Sequence, residues 1–379
     1  MDPAIALLRD LVAINSVNPT LVPGAAGEAQ IAAAIAEHMR RAKLDVIVQD
    51  VAAGRPNVIG VVEGRAPGRS LMLCGHLDTV GVDGMRAPFD PEIRGDRLHG
   101  RGSQDMKSGV AAMIDAACQI AARGLEKGRV IVAAVVDEEY ASIGADALVT
   151  EWTADAAVVT EPTDLEIAVG HKGFAWLDVE TGGRAAHGSR PKDGRDAIMR
   201  MGRVLQRLEA LDRDLQRRAP HPLLGTGSLH ASIIDGGREL SSYPDRCRLQ
   251  LERRTIVGES EEDVRHDVEA IVTALMQEDR EFEARVSLTF ARPAYELAAD
   301  HALPRALAQA AASTQARHPE APMSAMSFWT DAAILAGAGI PSVLFGPGGA
   351  GLHSKEEYVN VADVIACRDT LRQLVSDWC

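Results

Sequence analysis

Apolar residues recur at helical spacing near the start of the chain, at Ile5, Leu8, Leu11 and Val12, and again from Glu28 to Ala42 through Ile31, Ile35 and Met39. The period then changes. Val46 to Val51, Asn57 to Val62, Ser70 to Cys74, Val130 to Val136 and Ala156 to Thr160 are short, rich in β-branched residues and almost unbroken in apolar character. Such runs predict strands covered on both faces. Between the third and the fourth, Met106, Val110, Met113, Ala117 and Ile120 mark one face of a crossover helix, so this part of the chain predicts an α/β domain with a mostly parallel sheet.

After Gly173 the pattern is different. Phe174 to Glu180 alternates like a half-exposed strand, Ala197 to Arg218 is a charged amphipathic helix, and Ser228 to Ile234 and Arg248 to Thr255 predict strands. A helix from Ser260 to Gln277, opened by the capping pattern Ser260-Glu-Glu-Asp263, precedes a strand from Arg285 to Ala291. The order β-α-β-β-α-β predicts a small α+β, ferredoxin-like domain with an exposed sheet edge. From Arg292 the first pattern returns, with helices at Leu303 to Gln315 and Thr330 to Ala338, a buried strand at Pro341 to Phe345 and a closing helix from Ala362. The predicted organisation is one domain made of 1–172 and 292–379, with 173–291 inserted into it.

Composition narrows the function classes. A chain of 379 residues, 46% apolar and 25% charged, is a folded protein of two or three domains rather than a disordered one. Its net charge of −14 argues against non-specific binding to nucleic acid or anionic membranes. Aromatic residues at 4% make a base-stacking platform an unpromising reading. No apolar run approaches the ~20 residues that span a bilayer, and the start Met1-Asp2-Pro3 lacks a leader pattern, so the expected location is the cytoplasm. Cys74, Cys118, Cys247, Cys367 and Cys379 are widely spaced and read as reduced thiols.

The chemistry sits where strands end. The run to Gly75 leads into His76-Leu-Asp78, the run to Val136 into Asp137-Glu138-Glu139, and the run to Thr160 into Glu161. The last buried strand leads through a glycine-rich loop to His353, and Asp105 immediately precedes the crossover helix. Ligands gather at the carboxyl ends of parallel strands, so these residues can converge. Two imidazoles and several carboxylates exceed what one tetrahedral zinc needs, and suit two divalent ions about 3.5–4 Å apart sharing one carboxylate. Asp105 is placed to be that bridge, although a plain N-cap is its alternative reading. His76 and Asp78, two apart in an extended segment, share a side, so the aspartate can fix the imidazole tautomer. Of the adjacent Glu138 and Glu139, one can bind metal while the other takes a proton. The loop Gly346-Pro-Gly348-Gly-Ala-Gly351 fits a dinucleotide-binding turn, but it leads to His353 instead of a helix and leaves too little chain for a βαβ unit. Its glycines are expected to let the backbone approach substrate.

His76-Leu-Asp78-Thr-Val80, Gly102-Ser-Gln-Asp105-Met-Lys107, Asp137-Glu138-Glu139, Glu161-Pro162-Thr163 and the loop ending at His353 together resemble the M20 metallopeptidase and deacylase family. That family includes acetylornithine deacetylase, succinyl-diaminopimelate desuccinylase and glutamate carboxypeptidase. The resemblance implies a Zn-peptidase-like catalytic domain with an inserted lid and dimerisation domain. It implies two divalent ions, zinc in the first place with cobalt or manganese able to replace it. His76 and Glu161 would hold one, Glu139 and His353 the other, with Asp105 bridging, Glu138 the general base and a cis peptide between Asp105 and Met106. It further implies that His187 reaches a partner's active site in a homodimer and that Arg254 holds a substrate carboxylate. A loop histidine remains the plain alternative for His187, and only one of Arg253 and Arg254 can face a cleft from a strand. Ser108 stands where the family usually has glycine, and Ser241 where it often has asparagine. The activity implied is hydrolysis of the amide of a small N-acyl-L-amino acid by water activated between the metals. A dipeptidase, carboxypeptidase or desuccinylase is the alternative in the same class, and a non-catalytic metal-dependent binding protein the alternative outside it. Neither nucleic acid nor membrane is an expected partner.

Overall fold

The computed structural model describes residues 1–298, 300–314 and 322–379. In chain order the elements are α1 (Pro3–Val12), α2 (Ala29–Arg41), β1 (Asp45–Ala52), β2 (Arg55–Glu63), β3 (Ala66–His76), β4 (Glu92–Arg94), β5 (Arg97–His99), α3 (Lys107–Arg123), β6 (Lys127–Val135), α4 (Ile143–Glu151), β7 (Ala156–Val159) and β8 (Ala168–His171). There follow β9 (Gly173–Gly182), α5 (Ala197–Arg217), β10 (Ser228–Gly236), β11 (Arg246–Thr255), α6 (Glu261–Glu278), β12 (Glu283–Arg292) and β13 (Tyr295–Glu296). The chain closes with α7 (Ala302–Ser313), β14 (Ser324–Met326), α8 (Ala332–Gly337), β15 (Ser342–Leu344), β16 (Gly349–Ala350), β17 (Tyr358–Asn360) and α9 (Val361–Trp378). Gln315, the expected last residue of the helix at α7, lies outside the described residues.

Two compact units result, one of Met1–Val169, Leu297–Ala325 and Thr330–Cys379, the other of Gly170–Glu296 with Met326–Trp329. The second takes in a few residues on each side of 173–291 and a short return segment that no periodicity marks.

In the larger unit the sheet runs β1-β2-β6-β3-β7-β15-β8. Its centre, β6-β3-β7-β15, is parallel, as the unbroken apolar runs predict. Val130, Val132, Ala134, Leu71, Leu73, Val158 and Val343 are buried there against α3 and α9 residues such as Val110, Met113, Leu371 and Leu374. Each fully buried Val, Leu or Met contributes about 1.5–3 kcal/mol. The flanking β1, β2 and β8 pair antiparallel. The run Val46 to Val51 is not covered on both faces. It forms the edge strand β1, paired only with β2, and Ile47 and Val48 on its two faces are 39% and 43% exposed. An apolar run carries no mark of whether a neighbour lies on each side.

A second sheet of this unit, β16-β17-β5-β4, has no counterpart in the sequence reading. Its strands of two or three residues are too short to show alternation. It matters nonetheless: β17 pairs with β5 through Tyr358–His99 and Asn360–Arg97, which draws the segment before Tyr358 alongside the segment after His99.

The smaller unit is a four-stranded antiparallel sheet in the order β10-β11-β9-β12, the ferredoxin-like arrangement expected of β-α-β-β-α-β. Alternation decides its faces. Ala175, Leu177 and Val179 of β9 and Cys247, Leu249 and Leu251 of β11 pack against Met201, Val204 and Leu208 of α5 and Val264, Val268 and Val272 of α6. The capping box forms as the sequence predicts, Asp263 N–H donating to Ser260 Oγ at 3.1 Å and Ser260 N–H to Asp263 Oδ2 at 2.9 Å. The other sheet face carries Phe174, Trp176 and Arg254.

Candidate metal centre

Because β3, β6, β7 and β15 are parallel neighbours, the residues that follow them emerge along one sheet edge. His76 ends β3, Glu138 and Glu139 follow β6, and Glu161 follows β7. His353 arrives from β15 by way of the small sheet. His76 Nε2 stands 3.2 Å from Asp105 Oδ1, while His353 Nε2 stands 3.3 Å from Asp105 Oδ2 and 3.0 Å from Glu139 Oε2. Glu138 Oε2 and Glu161 Oε1 each lie 3.9 Å from His76 Nε2. Two overlapping groups, His76–Asp105–Glu139 and His76–Glu138–Glu161, have ligand atoms within 4.8 Å of one another. Asp105 caps nothing: α3 has no side-chain cap, and the two aspartate oxygens are turned to the two histidines. The peptide between Asp105 and Met106 is cis.

The donor set asks for cations. Burial, then the charge of Glu161, pushes the Glu138 carboxyl well above its ordinary range; burial does the same to Glu161 and also raises Glu139. Burial opposes a charged His76, yet the Asp105 hydrogen bond and surrounding acids carry its pKa well upward. Bonds to Asp105 and Glu139 lift His353 to about 10. For Asp105, burial is outweighed by the hydrogen bonds from His353 and His76, which hold its carboxyl below the usual range. Imidazole nitrogens and carboxylate oxygens in this mixture fit borderline and hard divalent ions.

Asp78 works differently from the expectation. The nearest partner of His76 Nδ1 is the Asp78 main-chain oxygen at 2.9 Å, with the carboxylate farther away at 3.6 Å. That bond leaves Nε2 facing the acids. The Asp78 carboxylate instead accepts from Glu138 N–H at 3.1 Å and Glu139 N–H at 3.2 Å, so it holds the segment that presents both glutamates.

The profile of Peptidase family M20/M25/M40 matches residues 72–377. An acetylornithine deacetylase of Myxococcus xanthus is 31% identical over 395 residues, covering 100% of this chain and 98% of its own. The chain belongs to the M20 family. It is a hydrolase acting on amide bonds. Among solved structures, a Staphylococcus aureus tripeptidase superposes with a TM-score of 0.82 at 20% identity, over 99% of this chain and 97% of that one. A Bacillus subtilis protein described as a dinuclear metal binding peptidase from the M20 family superposes with a TM-score of 0.75 at 16% identity, over 99% and 97%.

Around its M20 motifs the chain builds supports that no spacing reveals. Asn18 Nδ2 donates to Asp78 Oδ2 at 2.7 Å and to Asp137 Oδ1 at 3.0 Å. Arg55 joins Asp137 at 2.8 Å to Glu28, whose Oε2 accepts from Arg55 Nε at 2.8 Å. Neither Asn18 nor Arg55 belongs to a motif that marks the site in the sequence. On the other side, the buried carboxylate of Glu357 accepts from Arg101 Nη1 at 2.6 Å and from the N–H groups of Gly102, Gln104 and Asp105 at 3.0, 2.9 and 3.1 Å. Arg101 Nη2 also donates to Ser354 O at 2.9 Å, so one ion pair ties the Asp105 loop to the His353 loop. Removing one member of such a buried pair costs about 3–5 kcal/mol. The only hint in the sequence is that Glu357 follows His353 by four residues.

Protein contacts already require glycine in the glycine loop. A Cβ on Gly346 would stand 2.2 Å from Glu161 O, so only glycine lets the segment after β15 pass Glu161 this closely. Ser108 is accommodated, its buried hydroxyl donating to Gln104 O at 3.2 Å. Ser241 is exposed and its carbonyl accepts from Gly188 N–H at 2.7 Å.

The two positions expected at substrate lie in the smaller unit. His187 is exposed, Nδ1 bonded to Ser189 Oγ at 2.8 Å. On β11, Arg253 is buried and paired with Glu259 at 2.6 Å, whereas Arg254 is on the open face with its side chain 31% exposed.

Proposed function

We propose that the chain is a two-metal deacylase that hydrolyses the amide of N-acyl-L-amino acids, in the manner of the acetylornithine deacetylase it is similar to. One observation carries the reading: Asp105 presents one oxygen to His76 and the other to His353, as a bridge between two ions requires. In this reading His76 and Glu161 hold one ion and Glu139 and His353 the other, zinc in the first place with cobalt or manganese as substitutes. Two bound divalent ions supply Lewis-acid polarisation of the carbonyl and a lowered pKa for the attacking water. Glu138 takes that proton and delivers it to the leaving nitrogen as the C–N bond breaks, so water's oxygen ends on the acyl carbon and a free amine departs. Its raised carboxyl pKa suits a group that must both accept and return a proton. Arg254 receives the substrate carboxylate: Glu252 Oε1 occupies its Nε at 2.7 Å, and neither Nη has a partner among the described residues.

Amine release from N-acetyl, N-succinyl and longer N-acyl amino acids, measured beside dipeptides after metal reconstitution, tests this. N-acyl amino acids are expected to be turned over with the higher kcat/KM. Cleavage confined to dipeptides would make the chain a peptidase instead.

Assembly is the second part of the proposal. No helix among the described residues is long and apolar enough to cross a membrane; as a separate matter, the smaller unit exposes large apolar side chains. β10 is an edge strand with Ile233 and Ile234 60% and 53% exposed, and Ile198 of α5 is 42% exposed. Adjacent residues on a strand point to opposite faces, so both faces of this edge are uncovered, a form suited to isologous pairing with a second copy. A homodimer is therefore expected by light scattering, with His187 completing the partner's site. Mixing His187→Ala and Glu138→Gln chains should restore activity in mixed dimers; no recovery after subunit exchange would confine His187 to its own subunit.

A further inference from the structure

Aromatic residues make up only 4% of the chain, yet several meet on the open face of the smaller unit's sheet. Phe174, Trp176 and Phe290 form a triangle with ring centroids 5.2, 5.8 and 5.5 Å apart, and Trp329 stands edge-on to Phe174 at 6.0 Å. These are the separations at which aromatic pairs attract. Phe174 and Trp329 are buried, while Trp176 and Phe290 remain half-buried and so offer ring surface. Such a group is not needed to close the hydrophobic core, which lies on the helix side of the same strands.

Arg254 borders the cluster on the neighbouring strand, its register partner being Phe174. The Arg254 guanidinium lies 5.6 Å from the Phe174 ring centre, and Glu252 binds both Arg254 Nε at 2.7 Å and Trp176 Nε1 at 2.9 Å. One carboxylate thus fixes the arginine and the indole as a unit, leaving the arginine's Nη nitrogens for an anion. Arg292 adds a second guanidinium, 5.2 Å from Phe290 and 5.7 Å from Trp329. Burial, then the charges of Arg254 and Arg253, lowers the pKa of Lys172, so an added ammonium beside these guanidiniums meets like charge. A carboxylate is welcome here, a second ammonium is not.

We propose that Phe174, Trp176 and Phe290 form the subsite for the substrate's amino-acid side chain, so that the enzyme selects N-acyl amino acids with aromatic side chains over cationic ones such as N-acylornithine. This rests on the reading of Arg254 as the carboxylate site. An α-carboxylate on Arg254 sets the side chain of the same amino acid within reach of the ring triangle, where a flat apolar group gains stacking and a cation meets like charge.

The test uses the full-length, metal-reconstituted protein and two substrate series, N-acetyl-X and Gly-X, with X as L-phenylalanine, L-tryptophan, L-alanine or L-ornithine. In the series that is turned over, kcat/KM for X = phenylalanine or tryptophan is expected to exceed that for alanine and ornithine at least about tenfold. Trp176→Ala should collapse the phenylalanine-to-alanine ratio toward one, and Trp176→Phe should keep it. Ornithine equalling or exceeding phenylalanine, or an unchanged ratio in Trp176→Ala, overturns the aromatic subsite while leaving the deacylase reading intact. Aromatic preference in the Gly-X series alone supports the subsite and overturns the deacylase reading. Cleavage of neither series overturns both.

Discussion

Glu138→Gln should lower kcat by about 10²–10⁴, the usual worth of a positioned general base, while the protein keeps both metal ions. Glutamine preserves size and hydrogen-bonding capacity but cannot take a proton. Glu139→Gln should behave differently, because Glu139 Oε2 lies 3.0 Å from His353 Nε2 and belongs to the ligand set. Its loss should appear first as weakened metal binding. Metal content and amine release measured on the same samples separate the two residues. Near-normal turnover in Glu138→Gln would remove the general-base assignment.

Stripping the metals should make stability fall as pH rises. Burial raises the carboxyl groups of Glu138, Glu139 and Glu161 above their ordinary 4.5, and His76 and His353 are raised as well, the latter to about 10. A group whose folded pKa exceeds its unfolded one stabilises the fold fully below the unfolded pKa and loses that contribution as pH climbs through the folded pKa. All five have this sign. Asp105 has the opposite sign, but its contribution is lost only on acidification below the ordinary carboxylate range. Between pH 5 and 9 the chelated protein should therefore lose Tm steadily, relative to the metal-loaded form. The gain in Tm on adding metal should be larger at pH 8.5 than at pH 5.5, since bound cations replace the protons these acids would otherwise need. Thermal melts with and without chelator check this, and a metal-dependent gain that is flat or larger in acid would contradict it.

The parallel centre of the large sheet was legible because strands buried on both faces leave unbroken apolar runs, and the inserted unit because its strands alternate. His76, Glu138, Glu139 and Glu161 were legible for the same reason, each standing directly after such a run. What the chain hides is whatever depends on pairing partners. β1 has the composition of an interior strand and lies at the edge, since nothing in Val46 to Val51 says which neighbours will be present. The small sheet that seats the His353 loop beside the Asp105 loop uses strands of two or three residues, below the length at which a period exists. Glu357 and Arg101, which fasten those loops, and Asn18 and Arg55, which brace the Asp78 and Asp137 carboxylates, stand in no motif that marks them. Their roles arise from burial, which single-residue chemistry does not encode.

The paired-metal account is tested most directly by titrating the metal-free protein with zinc or cobalt while following amine release from its best N-acyl amino acid. Activity should reach its plateau at two equivalents per chain, and Asp105→Ala, which removes the oxygens facing both His76 and His353, should abolish tight binding of the pair. A plateau at one equivalent, with a single tight site that Asp105→Ala leaves unchanged, would contradict it.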